Sequence, residues 1–483
     1  MDKKNNIGND VVKLTFAKVV TMLITLVSSM LLSRFRTLEE YGTYSQLLMV
    51  ISLASSFMML GLPNCINYFL ARADSDEERA SFLSVYYTLS SVLSLLVGIV
   101  LVLMIPIMEI YLKNPLIRIF WFFLALYPWT KIITSSVENL LIVYHKTSTL
   151  FYYRILNGSI LLLVIIIIQL LNGSFYQYMI AFLGVEIIFT LYTYFLAKQN
   201  CKLLKYSLNK QMIKKIFAFS IPIGLSSMLG TLNIEIDKLM ITSFFTTEDL
   251  AVYTNASKEL PVTIIATSIT AVLMPQVVRL LKNKDKAKAF ELWNSATSIS
   301  FAIISVIAIG CFTFAPQVIK ILYSEKYLAG VSVFRIYCMV LLGKCTYFGL
   351  MLNAIGETKC IMYSSIGSLI LNIIFNYSGY KLFGFIGPAI ATMCATYLMI
   401  FYQLIFTCKK TKTRFKYVFP WKNSTKYLLI NIIMGLCFNI VMQTFKQRIN
   451  DVLLALICGG IWTLVFTVIT YKSLMLNWIK LNK

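Results

Sequence analysis

The sequence predicts an all-α polytopic membrane protein with about fourteen transmembrane helices. Of its 483 residues, 58% are hydrophobic and only 13% are charged. Apolar runs recur almost from end to end, and roughly 20 apolar residues are enough to cross a bilayer core of about 30 Å. The runs are longer and more continuous than the alternating segments of about ten residues that form membrane β-barrels. The predicted spans are therefore helices, whose backbone polar groups are satisfied internally.

Fourteen candidate spans follow one another along the chain. Their approximate limits are 11–33, 42–70, 82–108, 116–143, 148–170, 175–197, 214–244, 250–278, 289–314, 328–353, 360–380, 384–407, 425–445 and 452–476. The loops between them are all short, which leaves no room for a soluble catalytic domain. We therefore do not expect an enzyme.

The net charge of +23 follows from basic residues that lie mostly in the short loops. With the N-terminus in the cytoplasm, the inside segments hold 28 Lys and Arg and the outside loops hold nine. This bias predicts that both termini are cytoplasmic. The two richest inside loops are Lys198–Lys215 and Lys409–Lys426. Their placement indicates a role in membrane topology, with anionic lipid binding as the alternative, and does not indicate nucleic acid binding.

A weak internal repeat indicates two six-helix halves. The segment Leu38–Ser45 (LEEYGTYS) is echoed by Thr247–Thr254 (TEDLAVYT), and Leu141–Ser148 (LIVYHKTS) by Met351–Thr358 (MLNAIGET), both at an offset close to 210. Parallel repeats of this kind are typical of transporters. The predicted domains are an N-terminal lobe at 1–200, a C-terminal lobe at 201–408 and a final helix pair at 409–483.

Seven cations lie inside predicted spans, where an isolated charge costs about 3 kcal/mol on insertion scales. They are Lys18, Lys131, Arg154, Lys238, Lys258, Arg335 and Lys344. Such residues normally face a protein interior or a water-filled cavity. A cationic interior suggests a pathway for an anionic cargo.

Spans seven and eight carry the most informative charges. Asp237 and Lys238 precede the turn near Thr247 by about ten residues, and Lys258 and Glu259 follow it by about as many. At 1.5 Å per residue, both pairs lie about 15 Å below the turn, near the middle of the bilayer. They form either the wall of a wet cavity or structural ion bridges that cancel one another.

The other spans offer weaker candidates. Lys131 and Glu138 share one face of span four, and either an ion pair or a cavity role fits them. Lys344 is nearer the bilayer centre than Arg335. Lys18 and Arg154 lie near the inner ends of their spans, where snorkelling to the interface explains them simply.

The candidate cargo residues are Lys258, Lys238, Lys131, Lys344 and Lys18, and the candidates for ion coupling or structural ion pairs are Asp237, Glu259, Glu138 and Glu235. We expect no catalytic residue, metal site or bound cofactor, although coupling to a proton or sodium gradient is open.

Three segments resemble a known family. Leu32–Arg72, which contains LSRFRTLEEYGTYSQ, is similar to the first two helices of bacterial polysaccharide flippases, relatives of the MATE exporters in the MOP superfamily. Ile236–Thr254 resembles their second-half counterpart, and Phe383–Thr392 (FGFIGPAIAT) resembles the glycine-rich start of their twelfth helix. The resemblance covers essentially the whole chain.

The resemblance implies two lobes around a cavity lined by helices one, two, seven and eight. It also implies alternating access that moves a polyprenyl-diphosphate-linked oligosaccharide from the inner to the outer leaflet of a bacterial cytoplasmic membrane. Lys258 or Lys238 would then pair with the diphosphate. Membrane lipids, and a polysaccharide polymerase and glycosyltransferases, are the implied partners. The chain departs from this pattern in span two, which carries no charge.

Two alternative functions stay open. A MATE-type exporter of small cationic molecules has the same fold, but a base-rich cavity would repel such cargo. A flippase for peptidoglycan lipid precursors also fits, although the first two spans lack a cluster of arginines.

Overall fold

The computed structural model describes residues 2–59, 61–445 and 450–481, without the side chains of residues 2–15, 64, 71, 222 and 226. Its first helices are α1 (Asp2–Phe35), α2 (Leu38–Met59), α3 (Leu62–Arg72), α4 (Asp76–Leu103), α5 (Ile105–Leu112), α6 (Trp121–Val143), α7 (Thr147–Leu170), α8 (Phe175–Asn200), α9 (Lys210–Phe244) and α10 (Thr247–Ala256). They are followed by α11 (Thr263–Lys282), α12 (Lys286–Thr313), α13 (Ala315–Leu322), α14 (Val331–Leu342), α15 (Leu350–Ala354), α16 (Thr358–Phe383), α17 (Gly387–Thr411), α18 (Phe415–Val418), α19 (Trp421–Phe445) and α20 (Asp451–Leu481). Short 3₁₀ turns complete the structure, and the described part contains no strand.

The chain is an all-α polytopic membrane protein, as the sequence predicts. Ten helical stretches of the described residues are long and apolar enough to cross a membrane, or eleven if the two arms of α9, bent by 42° beside Pro222, form one span. One of these stretches, Thr358–Thr411, contains both α16 and α17. Several of the fourteen expected spans are divided into shorter helices.

The order of elements repeats along the chain at a constant spacing. One series consists of Asp76–Leu103, Ile105–Leu112 and the 3₁₀ turn Pro115–Phe120. The other consists of Lys286–Thr313, Ala315–Leu322 and the 3₁₀ turn Glu325–Gly330, each 210 positions later. This spacing matches the offset of the two sequence echoes, so the repeat extends over far more of the chain than the motifs that suggested it.

The first sequence echo begins with the same capping arrangement in both copies. At the start of α2, the Thr37 amide donates to Glu40 Oε2 at 3.0 Å and the Glu40 amide donates to Thr37 Oγ1 at 3.1 Å. At the start of α10, Thr246 and Asp249 exchange the equivalent bonds, both at 3.1 Å. Each capping box satisfies two backbone amides that the helix itself leaves unpaired. The threonine just before each echoed segment and the acid within it therefore fix where these helices begin.

Packing divides the described chain into two compact units, 1–251 and 252–483. In the first unit, α9 packs against α2 and α3. The predicted lobe boundary at residues 200 and 201 stays a prediction based on the repeat.

The last two helices are held to the second unit by a buried polar network. The Trp462 indole of α20 donates to Asn431 Oδ1 of α19 at 2.9 Å, and Asn431 Nδ2 donates to Ser305 Oγ of α12 at 3.0 Å. Asn431 and Ser305 are fully buried and Trp462 is nearly so. Interhelical hydrogen bonds of this kind stabilise helix packing in membranes, where burial of apolar surface contributes little.

In three of the interrupted spans, local residues explain the break. Span two breaks at Gly61, whose φ of 75° suits glycine. The expected span eight is not one continuous helix, because α10 ends at Ala256 and α11 begins at Thr263. Pro261 explains this break, since it lacks an amide donor and disfavours helical backbone in the residue before it. Span ten is also broken over residues 343–349. This segment begins and ends with a glycine, Gly343 and Gly349, and glycine destabilises helix interiors.

We expect Gly42→Ala to destabilise the protein. A Cβ at Gly42 would lie 2.1 Å from the carbonyl oxygen of Thr247, so α2 and the start of α10 would have to move apart. Overpacking of this kind costs about 1–3 kcal/mol. Thermal unfolding of the purified protein in detergent measures the effect.

Gly184→Ala in α8 is the matched control, because no atom of the described residues beyond its own helix backbone lies within 4 Å of the added carbon. It should leave the melting temperature unchanged or raise it, since alanine favours helix by about 1 kcal/mol over glycine. Equal melting temperatures for the two variants would contradict the close approach at Gly42.

Candidate functional site

A cavity of about 350 Å³ lies within the first unit, between α6, α7 and α8. Its lining is unusually rich in ionisable and polar side chains for a bundle of apolar helices. The lining residues are Lys131, Thr134, Ser135, Val137, Glu138, Leu150, Tyr153, Arg154, Asn157 and Glu186. Lys131 and Glu138 come from one face of α6, as their spacing of seven residues predicts. Charged residues at this position in a membrane bundle indicate a polar pathway.

Glu138 sits between two cations from other helices. Its carboxylate lies 3.3 Å from Lys18 Nζ of α1, and it accepts a charge-assisted hydrogen bond from Arg154 of α7. Lys18 and Arg154 therefore share an acidic partner on α6, a contact that the snorkelling interpretation does not include. The three residues link α1, α6 and α7 at the edge of the cavity.

Glu186 on α8 is an acidic residue of the cavity that sequence reasoning missed. It is 8% exposed, and Asn157 Nδ2 donates to its Oε1 at 3.3 Å. Its neighbour Tyr153 bonds with Thr193 at 3.0 Å. A census of acids inside the predicted spans, parallel to that of the cations, would have found Glu186, because it interrupts the apolar run of span six.

Lys131 differs from the other cations inside the predicted spans of this unit. No carboxylate oxygen of the described residues lies within 4 Å of its ammonium group, whereas Lys18, Arg154 and Lys238 each have such a partner. The charged groups that act on Lys131 at longer range are Glu235 and Lys238 of α9. An ammonium group in a cavity wall without an adjacent acid can bind an incoming anion without first breaking an ion pair.

Near its C-terminal end, α9 contains an ion pair between two of its own side chains. Lys238 Nζ donates to Glu235 Oε2 at 2.8 Å, one turn away, with both side chains largely buried. Asp237 is 3% exposed. Lys238 is therefore neutralised by Glu235 on its own helix, which favours the structural interpretation over a cargo role for this lysine.

The second unit places a different ion pair where two helix breaks meet. Glu259 lies in the break between α10 and α11, Lys344 lies in the break between α14 and α15, and Lys344 Nζ is 3.2 Å from Glu259 Oε2. Lys258 lies in the first of these breaks as well. In the first repeat, the corresponding parts of α2 and α6 are continuous helix. Interrupted helices of this kind line ligand sites in many transporters.

Most of the predicted residues therefore fall into two groups. Lys131, Glu138 and Lys18 lie in or beside the first-unit cavity, with Glu235 and Lys238 near Lys131. Glu259 and Lys344 pair in the second unit. The predicted alignment of Asp237 and Lys238 with Lys258 and Glu259 at one depth stays a prediction, as does the role of each residue in transport.

The fold is that of MOP superfamily transporters. The lipid II flippase MurJ in an inward closed conformation is 17% identical, with a TM-score of 0.77, over 96% of this chain and 99% of that one. An inward-facing multidrug resistance MATE transporter is also 17% identical, with a TM-score of 0.64, over 81% of this chain and 96% of that one.

Sequence comparison gives the family. A family model described as "Polysaccharide biosynthesis protein" matches residues 31–332, and the chain belongs to this family. An uncharacterized membrane protein of Methanocaldococcus jannaschii is 26% identical over 268 residues. The match covers 53% of this chain and 50% of that relative, so the chain spans about half the length of the relative.

We expect Glu138→Gln to lower the melting temperature more than Lys18→Gln does. Loss of the acid leaves Lys18 and Arg154 facing each other without compensation, whereas loss of Lys18, which is 56% exposed, leaves the Arg154–Glu138 pair intact. Thermal unfolding in detergent compares the two variants. A larger effect of Lys18→Gln would show that Glu138 does not hold these helices together.

Exchanging the charges of Glu259 and Lys344 tests whether their pairing is energetically significant. Glu259→Lys and Lys344→Glu each create a like-charge contact, and the double variant restores the pair in reverse. Both side chains are more than 40% exposed, so we expect a coupling of about 1 kcal/mol or less. A double variant whose stability change equals the sum of the single changes would mean that the pair contributes nothing.

Proposed function

We propose that this chain is a flippase that moves a polyprenyl-diphosphate-linked oligosaccharide from the inner to the outer leaflet by alternating access. The cargo would serve polysaccharide biosynthesis, such as that of O-antigen, capsule or exopolysaccharide. The proposal includes a bacterial cytoplasmic membrane with both chain termini in the cytoplasm, a polymerase and glycosyltransferases as partners, and no chemical step. Membership in the polysaccharide biosynthesis family and the transporter fold support it.

The observation that most strongly supports this proposal is the position of Lys131 in a cavity wall without an acid of the described residues in contact with it. This lysine lines a cavity within a membrane-spanning bundle, and no carboxylate of the described residues neutralises it at contact distance. A diphosphate offers several strong acceptor oxygens and at least two negative charges, for which a lysine is a suitable partner. Because a cation costs free energy in an apolar bundle, the presence of Lys131 without an adjacent acid favours an anionic ligand.

The same observation weighs against export of cationic molecules. An unneutralised ammonium group raises the energy of any cation that enters the cavity. A peptidoglycan lipid precursor, however, also carries a polyprenyl diphosphate. The fold similarity to the lipid II flippase therefore favours this precursor as the second candidate cargo.

Energy coupling forms part of the proposal. Asp237, Glu259, Glu138 and Glu235 are the acids through which a proton or sodium gradient would act. Glu138 and Glu235 already bind cationic side chains in this conformation, and a change of conformation that separated either pair would free a carboxylate for an ion. Transport with and without an imposed gradient tests this part separately.

Proteoliposomes provide the test of the proposed function. Labelled polyprenyl-diphosphate oligosaccharide, lipid II and a cationic dye are each followed from one leaflet or compartment to the other. Movement of the oligosaccharide lipid but not of the dye is the expected result. Movement of the dye alone would contradict the proposal and indicate a drug exporter, while movement of lipid II alone would indicate the second candidate.

We expect Lys131→Gln to reduce transport of the oligosaccharide lipid by about tenfold or more, because a charge-assisted hydrogen bond contributes roughly 1.5–3 kcal/mol. Lys131→Arg keeps the positive charge and should retain most of the activity. Initial rates in proteoliposomes with equal amounts of folded protein give the comparison.

Lys146→Gln is the matched control, because this exposed lysine lies in the turn before α7 and outside the cavity. It should transport like the unaltered protein. Full activity of Lys131→Gln, or equal losses in both variants, would remove Lys131 from the cargo site.

A further inference from the structure

A second and larger cavity opens at one end of the second unit. It has a volume of about 580 Å³ and lies between the beginnings of α12 and α19 and the ends of α17 and α20. The census of Lys and Arg predicts that this end of the unit faces the cytoplasm. The cavity shares no lining residue with the one that contains Lys131, and nothing in the proposed transport step uses it.

Lysines surround this cavity. Lys286, Lys412 and Lys480 line it, and Glu291 is the single acid among the lining residues. Lys480 Nζ lies 2.9 Å from Glu291 Oε1. Lys286 and Lys412 have no carboxylate within 4 Å among the residues that the structure describes. Two cations are thus left to attract an anion from the water or the membrane surface.

The wall of the cavity also contains an unsatisfied hydrogen-bond acceptor. Asn294 Nδ2 donates to the Tyr417 carbonyl oxygen at 2.8 Å, which fixes the orientation of the amide. Asn294 Oδ1 is buried and has no donor among the described residues. Buried polar atoms are normally hydrogen-bonded, so Asn294 Oδ1 calls for a hydroxyl or amine donor from a bound molecule.

We propose that this cavity binds the headgroup of an anionic phospholipid that carries free hydroxyl groups, such as phosphatidylglycerol. The phosphate would lie between Lys286 and Lys412, and a headgroup hydroxyl would donate to Asn294 Oδ1. The location fits this ligand, because basic pockets between helices on the cytoplasmic side of membrane proteins bind anionic headgroups. The neighbouring loop Lys409–Lys426 adds further positive charge on the same side.

Such a lipid would contact both the body of the second unit and its last two helices. The cavity is bounded by α12 and α17 on one side and by α19 and α20 on the other. A bound headgroup would therefore bridge the final helix pair to the rest of the unit and raise its stability. This inference does not depend on the identity of the transported cargo.

Lipid retention by the purified full-length chain tests the proposal. Native mass spectrometry and thermal unfolding are carried out in micelles containing phosphatidylglycerol or phosphatidylcholine with the same acyl chains, and with inorganic phosphate alone. We expect retention and stabilisation with phosphatidylglycerol only. Equal retention of both lipids, or saturation of the effect by inorganic phosphate, would overturn the proposal.

The double variant Lys286→Gln, Lys412→Gln should bind phosphatidylglycerol about tenfold more weakly. The control Lys202→Gln, Lys205→Gln removes the same charge from exposed positions in the other basic inside loop and should bind normally. An equal loss in the control would show that binding reflects net charge only. If the first variant does not fold, Lys286→Arg, Lys412→Arg keeps both charges and should bind phosphatidylglycerol normally, and failure of this folded variant to bind would overturn the proposal.

Discussion

The cost of a charge among membrane-spanning helices is the constraint on which the rest of this structure depends. A cation there must contact an acid, reach water or face a polar ligand. Arg154 and Lys18 meet Glu138, Lys238 meets Glu235, and these contacts tie α1, α6 and α7 together or rigidify α9. These charges thus link helices or parts of one helix. Lys131 stands out because no acid of the described residues contacts its ammonium group.

The repeat explains where the two halves agree and where they differ. Element bounds recur at a spacing of 210 residues, and the capping boxes at the starts of α2 and α10 have the same hydrogen bonds. Against this regularity, the breaks at 257–262 and 343–349 occur only in the second copy, and Glu259 and Lys344 join them. Interrupted helices expose backbone polar groups, which membranes tolerate only where protein or water surrounds them. The breaks at 257–262 and 343–349 therefore place polar backbone beside the Glu259–Lys344 pair.

Much of the fold could be predicted from the sequence, because hydropathy, short basic loops and repeat spacing are properties of local sequence. Pro261 makes an interruption of span eight predictable. The length of the interruption is not predictable, because it depends on contacts between the ends of α10 and α11 and the residues around them. Partner choice was harder to predict. Lys238 has acids at several nearby positions, and only the rotamers of α9 show that Glu235 is its partner. Glu186 is not indicated by the pattern of cations, because span six (175–197) contains no lysine or arginine.

Recognition of a polyprenyl diphosphate by its charge is the basis of the proposed function. The most direct measurement is the affinity of the purified chain for a short-chain polyprenyl diphosphate, compared with the uncharged polyprenol of the same length. We predict that the diphosphate binds at least about tenfold more tightly and that added salt reduces the difference. Equal affinities would contradict the claim, because binding would then rest on the hydrocarbon chain alone.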